Sequence, residues 1–299
     1  MIVLAHSVFM SRQLTENTYI ITGSGGDCYL LLGEDEAFLI DAGMSTVNIR
    51  EYAQSLTTLP LRRVINTHSH FDHTAGNGFF DVIYGTEGIS KSAKNTMGSD
   101  PKKYPLDYTF TLVKDGDIID LKGRPLRVIE LDCHAPGNLA ILDETNRILF
   151  PGDELEAGQV LLLPGYAEEM GQVHSRPAST VETYRNAMLK LKSFEEKFDM
   201  ICPAHNGTPI LKAYLDRYIK LAEMIMAGEI VGNEDCSSPS YNPGASHYPY
   251  PNAGYLRAEF KGASLIYNKH LIFDTDYPKA ATLPNATRCH ENSAHTARQ

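Results

Sequence analysis

The chain has 299 residues, of which 42% are hydrophobic and 21% charged, a balance typical of a globular protein with a sizeable buried core. Its net charge of −10 argues against a nucleic-acid partner, which would favour a basic face. Five scattered cysteines, no signal sequence and no apolar run of the ~20 residues that span a membrane predict a cytoplasmic protein without disulfides or a membrane partner.

Short apolar runs in the first 65 residues predict a meandering antiparallel sheet. NTYIIT, CYLLLG and EAFLIDAG have strand length, and the turn-forming segments GSGGD and GEDE separate them. The spacing of TVNIREYAQSL then predicts a helix that ends near Pro60. RRVINT is a short β-branched strand that leads directly into NTHSHFDHTAGN, residues 66–77.

The middle of the chain alternates strands with helices. EGISKSAKNTM has helical spacing, and TLVKDGDIIDLKGRPLRVIEL predicts a strand pair with turns at Asp115-Gly116 and Lys122-Gly123. AILDETNRILFPGD and DMICPAHNG each place a polar motif at the end of a strand. STVETYRNAMLKLKSF predicts a helix capped by Ser179 or Thr180, and AYLDRYIKLAEMIMAGE predicts a second helix.

The stretch NTHSHFDHTAGN places three histidines and a carboxylate in six positions: His68, His70, Asp72 and His73. In an extended chain alternate residues share a face, so His68 and His70 can reach one metal ion together. A turn at Phe71 would direct Asp72 and His73 toward a second ion. Neutral imidazole and carboxylate oxygen are suitable ligands for zinc.

Three more candidate ligands follow strand-like runs elsewhere: His134, Asp153 and His205. If those strands run side by side, their ends converge on the motif. The ligands then form two sets: the first set is His68, His70 and His134, and the second set is Asp72, His73 and His205. Asp153 has two oxygens and can bridge both ions. Asp41 ends the strand of LIDAG, and we expect it to support the site from behind the ligands.

Together these motifs resemble those of the metallo-β-lactamase-fold hydrolases. The resemblance rests on LIDAG, THSHFDHTAGN, HAPGN, FPGD and PAHNG, and it covers about residues 17–215. HAPGN replaces the commoner HTPGH but keeps the ligand. The resemblance implies an α/β fold, an αβ/βα four-layer sandwich with the metal site at one edge between two sheets.

The domain organisation follows from this resemblance and from a change in composition. Residues 1–228 are assigned to the metallo-β-lactamase-fold catalytic domain. Residues 229–299 form a C-terminal extension, rich in Pro, Gly, Ser and Tyr, that we expect to pack on the same domain. Within it, YLRAEF and SLIYN predict closing strands.

The resemblance also implies two divalent metal ions, with zinc expected and iron or manganese as alternatives. Two ions would share a water and lower its pKa from about 15.7 toward neutrality, which makes it a nucleophile toward a carbonyl or phosphoryl group. Asp72 is placed to orient that water, as the catalytic residue. No GxSxG stretch indicates a serine nucleophile.

The bridging Asp153 favours the glyoxalase II, lactonase and phosphodiesterase branches, because true β-lactamases of this fold generally lack it. We therefore expect hydrolysis of a small ester, thioester or lactone, and the oligomeric state is left open between a monomer and a homo-oligomer. Two loops supply candidate substrate contacts, whose alternative interpretation is an ordinary surface loop or subunit contact: Tyr166, His174, Arg176, His247 and Tyr250.

Three alternatives remain. One is an iron enzyme similar to the persulfide dioxygenases, which hold one iron with two His and one Asp. Another is phosphodiesterase or β-lactamase activity on the same fold. The third is a non-catalytic descendant of the fold, but such proteins usually lose ligands, whereas this chain retains all seven. Metal analysis separates the first from a hydrolase, because a hydrolase would hold about two zinc ions.

Overall fold

The computed structural model describes residues 8–95, 102–162, 179–233 and 255–276, and these residues form three sheets. The first sheet follows the chain in the order β1 to β7: Met10–Thr15, Thr18–Thr22, Cys28–Leu32, Ala37–Ile40, Leu61–Ile65, Val82–Gly85 and Phe110–Leu112. The second sheet has the order β13-β11-β10-β9-β8, with β8 Ile118–Asp120, β9 Pro125–Glu130, β10 Leu139–Asp143, β11 Ile148–Phe150 and β13 Met200–Ile201. The third sheet has the order β12-β15-β14, with β12 Val160–Leu161, β14 Tyr255–Phe260 and β15 Ala263–Asn268.

The helices that complete the fold are α1 Ile49–Gln54, α2 Phe71–Thr74, α3 Glu87–Ser92, α4 Val181–Lys192 and α5 Ala213–Met226. Single 3-10 turns occur at Asn77–Phe79, Ala93–Asn95, Glu195–Lys197 and Asp274–Asp276. Thr180 caps α4, as its sequence predicts, because its hydroxyl accepts a hydrogen bond from the Thr183 amide at 2.9 Å. None of the helices within the described residues is both long enough and apolar enough to cross a lipid bilayer.

The central strands of the two large sheets are buried on both faces, and their alternation produces the layers. In β3, Tyr29 and Leu31 face a core that lies between the first and second sheets, whereas Cys28 and Leu30 face a core shared with α1. The two faces of the second sheet also belong to different cores. Its inner face lies against the first sheet, and its outer face packs on α4, α5 and the third sheet. The predicted four-layer αβ/βα sandwich is therefore confirmed.

Because of the strand directions, several strands end at the same edge of their sheet. β9 and β11 are both antiparallel to β10, and β11 is parallel to β13, so these three strands end at the same edge of the second sheet. In the first sheet β4 and β5 are parallel and also end together. Functional side chains that follow these strands can therefore meet.

The predicted strand pair is confirmed, because β8 and β9 pair antiparallel across the turn at Lys122-Gly123. At the predicted turn of Asp115-Gly116 the chain passes from β7, which pairs with β6 of the first sheet, to β8 of the second. The turn thus joins two sheets, which local turn chemistry cannot reveal. β1 was not predicted, because this edge strand is largely exposed and lacks an apolar alternation.

The C-terminal strands pack on the rest of the chain. β14 and β15 form the predicted antiparallel pair, and β15 also pairs in parallel with β12. The same two strands contact α5. Residues from both sides of the proposed boundary at 228 thus share one sheet and one core, and the division into a domain and an extension stays a prediction.

Candidate metal centre

The motif at residues 66–77 folds into a compact turn at the end of β5. His68 and His70 lie in the non-helical segment between β5 and α2, and Asp72 and His73 lie in the first turn of α2, which has only four residues. The helical turn that begins at Phe71 separates the two pairs of side chains, as the sequence predicts. His134, Asp153 and His205 arrive on the loops that follow β9, β11 and β13.

The nitrogens of the first set converge. His70 Nδ1 lies 3.0 Å from His68 Nε2 and 3.1 Å from His134 Nε2. Ligand atoms about 2.0–2.1 Å from a tetrahedral zinc ion would be about 3.3 Å apart, so this spacing is close to that of a metal site. Asp153 Oδ2 lies 3.7 Å from His68 Nε2 and 3.5 Å from His134 Nε2, as a fourth ligand would.

Hydrogen bonds behind the first set fix which nitrogen faces the site. His134 Nδ1 lies 2.9 Å from the Leu161 carbonyl oxygen, which can only accept, so Nδ1 carries the proton and Nε2 is left for a metal. His68 Nδ1 is 3.1 Å from the Thr67 hydroxyl, which leaves His68 Nε2 directed inward. The imidazoles are thus pre-oriented for coordination.

The second set lies on the other side of Asp153. Asp72 Oδ2 is 3.1 Å from His205 Nε2 and 3.6 Å from His73 Nε2. Asp153 Oδ1 lies 3.5 Å from His73 Nε2, and its Oδ2 lies 3.5 Å from His205 Nε2. The Asp153 carboxylate therefore reaches both sets, where a bridging ligand would lie.

Asp41 lies behind the second set. His73 Nδ1 donates to Asp41 Oδ2 at 2.9 Å, and the amide and hydroxyl of Thr67 also donate to this carboxylate, each at 2.8 Å. Asp41 has a φ of 60°, a left-handed conformation that Asp tolerates better than most residues. It orients His73 and anchors the start of the motif at the same time.

Burial keeps the first set neutral. Desolvation, together with the neighbouring imidazoles, lowers the pKa of His70 to about 3. The pKa values of His68 and His134 are also lowered, in both cases chiefly by burial. Neutral imidazole is the form that coordinates a metal, so this set needs no proton loss at neutral pH.

The second set has the opposite electrostatics. Burial alone would lower the pKa of His205, but Asp153 and Asp72 outweigh it and raise the value to about 10. The pKa of His73 is also raised, because the charges of Asp72, Asp153 and Asp41 outweigh its burial. Without a metal ion, protons supply the positive charge that these carboxylates require.

The side chains present fit divalent cations. Within the described residues, no lysine or arginine forms an ion pair with Asp72 or Asp153. In the same part of the chain, His73 Nε2 and Asp153 Oδ1 are buried and have no hydrogen-bond partner. Buried carboxylates and inward-directed imidazoles of this kind need a cation between them.

Two buried asparagines close the motif, and the sequence did not single them out. Asn66 and Asn77 are its first and last residues, and their side-chain amides exchange two hydrogen bonds, at 3.0 and 2.8 Å. Asn66 Nδ2 also donates to the His73 carbonyl oxygen at 2.8 Å. The pair holds both ends of the ligand loop together, a contact that depends on the fold rather than on any local pattern.

Two buried glutamates follow Asp153 and were also missed. Glu154 Oε1 accepts hydrogen bonds from the amides of Cys133 and His134, both at 2.8 Å, so it positions the loop that carries His134. Glu156 is 3% exposed, and burial and the nearby Asp153 charge raise its pKa well above the ordinary value. The alternating spacing of PGDELEAG was the only available signal for them.

The predicted substrate contacts lie outside the described residues: Tyr166, His174, Arg176, His247 and Tyr250. They therefore stay predictions. Tyr255, which the sequence places near the last two, is buried in β14, and His270 is exposed.

Comparisons with known proteins agree with this geometry. A family model described as metallo-beta-lactamase superfamily matches residues 21–205, more than half of the chain and all seven ligand positions. An acyl-coenzyme A thioesterase MBLAC2 of Homo sapiens is 24% identical over 172 residues, 47% of this chain and 62% of that protein. A hydroxyacylglutathione hydrolase of Rhodospirillum rubrum is 32% identical over 127 residues, 40% of this chain and 46% of that protein. The matches thus span less than two thirds of these relatives.

Solved structures show the same architecture. The stereoselective inverting sec-alkylsulfatase Pisa1 from Pseudomonas sp. aligns with a TM-score of 0.57 at 16% identity, over 75% of this chain and 44% of that one. A metallo-beta-lactamase from Pontibacter korlensis aligns with a TM-score of 0.53 at 16% identity, over 71% of this chain and 98% of that one. At these identities the likeness concerns the fold alone.

Proposed function

Because this chain belongs to the metallo-beta-lactamase superfamily, we propose that it is a hydrolase that uses two divalent metal ions to cleave a small thioester. One observation carries the proposal. In the first set His70 Nδ1 lies 3.0–3.1 Å from the Nε2 atoms of His68 and His134, and Asp153 Oδ1 lies 3.5 Å from His73 Nε2 of the second set. A single ion held by two histidines and one aspartate would leave most of these buried ligands unused.

The two sets would hold the ions in two places. The first set would hold one ion at the first position, the second set would hold another at the second position, and Asp153 would contribute to both. Bound divalent cations supply Lewis-acid polarisation of the scissile carbonyl and activation of a water molecule.

The residues of the chain supply orientation and charge. Asp72 is kept ionised, because the charge of His73 and the hydrogen bond with His205 outweigh the effect of burial and hold its pKa well below the ordinary value. An ionised carboxylate at this place can accept a hydrogen bond from the attacking water and so direct its lone pair toward the substrate. Asp72 is therefore the residue we assign to orient the nucleophile.

The choice of a thioester within the wider class of esters, thioesters and lactones is supported by the relatives. Acyl-coenzyme A and hydroxyacylglutathione, which appear in the names of two of them, are both thioesters. A thiolate is a good leaving group, so a site built for water activation needs no separate residue to protonate it.

The test combines metal analysis with an assay of thiol release. Purified protein should contain about two metal ions per chain and should release thiol from acyl-coenzyme A or acyl-glutathione substrates. His70→Ala should lose metal and reduce the rate by at least about a thousandfold, because it removes the central ligand of the first set.

His270→Ala is the matched control, since His270 is exposed, and this variant should retain both metal and rate. A single iron per chain with oxygen uptake and no thiol release would instead support the dioxygenase alternative. Cleavage of lactones or phosphodiesters in preference to thioesters would refute the substrate assignment alone.

A further inference from the structure

Glu156 is a third carboxylate that faces the second set. It lies three residues beyond Asp153, on the same loop after β11, and is 3% exposed. One of its oxygens lies within 4.8 Å of both an Asp153 oxygen and a His205 nitrogen. Neither the first set nor the second set includes it, and the proposed mechanism makes no use of it.

The side chain that hydrogen-bonds to Glu156 carries no charge. Asn206 Nδ2 donates to Glu156 Oε2 at 2.5 Å, and this amide is neutral. Among residues 8–95, 102–162, 179–233 and 255–276, no lysine or arginine forms an ion pair with Glu156. A carboxylate buried in this way destabilises a protein unless a cation compensates it.

A second observation points to a cation at this place. Asp153 is 8% exposed and directs Oδ1 toward His73 Nε2 at 3.5 Å. Both of these buried atoms lack a hydrogen-bond partner within the described part of the chain. The space between Asp153, Glu156 and the second set is therefore lined by acceptors that an ion would satisfy.

We propose that Glu156 is an additional ligand of the ion at the second position. The inference rests on the proposed two-ion site and makes its two positions chemically different. The first position offers three imidazole nitrogens and the shared Asp153. The second position offers two imidazoles and three carboxylates, from Asp72, Asp153 and Glu156.

This difference sets the metal preference. Imidazole nitrogens suit zinc, whereas carboxylate oxygens suit harder cations such as manganese. The second position should therefore discriminate less strongly against manganese than a site without Glu156 would, and the centre should accept two different metals. A mixed centre would hold zinc at the first position and the harder ion at the second.

The test uses Glu156→Gln in the full chain, with metal-free protein titrated with zinc and manganese and bound equivalents counted after dialysis. The wild type should bind two equivalents and accept manganese in one of them. The variant should keep the first equivalent, bind the second at least about tenfold more weakly and no longer retain manganese after dialysis.

Stability of the metal-free proteins gives an independent readout. Glu156→Gln should be at least as stable as the wild type without metal, because the amide has the shape of the carboxyl group and carries no charge that burial would penalise. Asp143→Asn is the matched control: Asp143 is also buried but pairs with Arg124, away from the site, so this variant should lose stability and still bind both equivalents normally.

The outcomes separate the two proposals. A Glu156→Gln protein that binds both ions with wild-type affinity and preference overturns the assignment of Glu156. A variant that is less stable than the wild type without metal, and unchanged in metal preference, also overturns it in favour of a structural role. If Glu156→Gln changes metal binding as expected but the wild type cleaves no thioester, the proposed hydrolase is refuted and Glu156 remains a ligand.

Discussion

At the scale of single residues, the two ligand sets differ in how they hold protons. Burial keeps His70 neutral, with a pKa lowered to about 3, whereas Asp153 and Asp72 overcome burial and raise the pKa of His205 to about 10. The first set is therefore ready to bind metal at neutral pH. The second set must first release at least one proton.

This contrast predicts a pH dependence that differs between the positions. Below about pH 10 an ion at the second position has to displace the proton of His205, and the raised pKa of His73 adds a second proton, so its affinity should fall at least about tenfold for each pH unit of acidification. From pH 8 to pH 6 the expected loss is at least about a hundredfold. The first position has no such competition in this range, and its affinity should change little.

Metal titrations at several pH values would measure both affinities, with the first position as an internal control. Loss of both ions in parallel on acidification would contradict the prediction. Such a parallel loss is expected if the histidines of both sets are equally protonated.

At the scale of elements, the turn between β2 and β3 packs directly on the second set. Gly26 is buried in this turn, and a Cβ there would lie 3.1 Å from His73 Cε1 and 3.5 Å from His205 Cε1. Its φ is outside the left-handed region, so the backbone would tolerate alanine. The glycine is needed because of the close approach of the imidazoles.

Gly26→Ala should therefore weaken metal binding at the second position by at least about tenfold, because His73 must move. The first position should keep its affinity. Dialysis against limiting metal, followed by elemental analysis, would measure both.

Gly85→Ala is a matched control, since its Cβ would crowd Phe110 and Ile89 to a similar degree but would touch no ligand. It should lower stability without changing metal content. Equal metal loss in the two variants would indicate a general effect of crowding and refute the specific role of Gly26.

At the scale of the whole molecule, one buried arginine ties the two large sheets together. Arg124 is 2% exposed and precedes β9, and its Nε donates to Asp143 Oδ2 of β10 at 2.8 Å. Its other nitrogens donate to the Leu32 carbonyl oxygen at 3.0 Å and the Thr18 hydroxyl at 2.7 Å. The guanidinium thus joins the second sheet to β2 and β3 of the first.

Arg124→Met should lower the free energy of unfolding by about 3–5 kcal/mol, because it leaves Asp143 buried without its cation. Urea denaturation would measure the loss. Arg147→Ala removes the exposed pair with Asp199 and should have little effect, since water screens such pairs. Similar losses in both variants would show that burial does not govern the contribution of these ion pairs.

Features that depend on residues close together in the chain were predicted from the sequence, and features that depend on distant contacts were not. The histidines and aspartates of the motif were found because alternate residues of a strand share a face, and because polar residues at strand ends are visible locally. The long amphipathic helices α4 and α5 were found for a similar reason. The separation of β7 and β8 into different sheets at Asp115-Gly116 was not predicted, because the choice of sheet depends on contacts far away in the chain.

By itself the sequence determined which side chains are candidate ligands and how they divide into two sets, since the spacing of these residues and the change to a short helix are local properties. Only the tertiary structure decided what supports them. Asn66 meets Asn77, Glu154 holds the His134 loop, and Glu156 faces the second set because packed sheets bring distant loops to one edge. Burial then determines the protonation states, because a carboxylate or imidazole acquires its pKa from neighbours that no spacing in the sequence records.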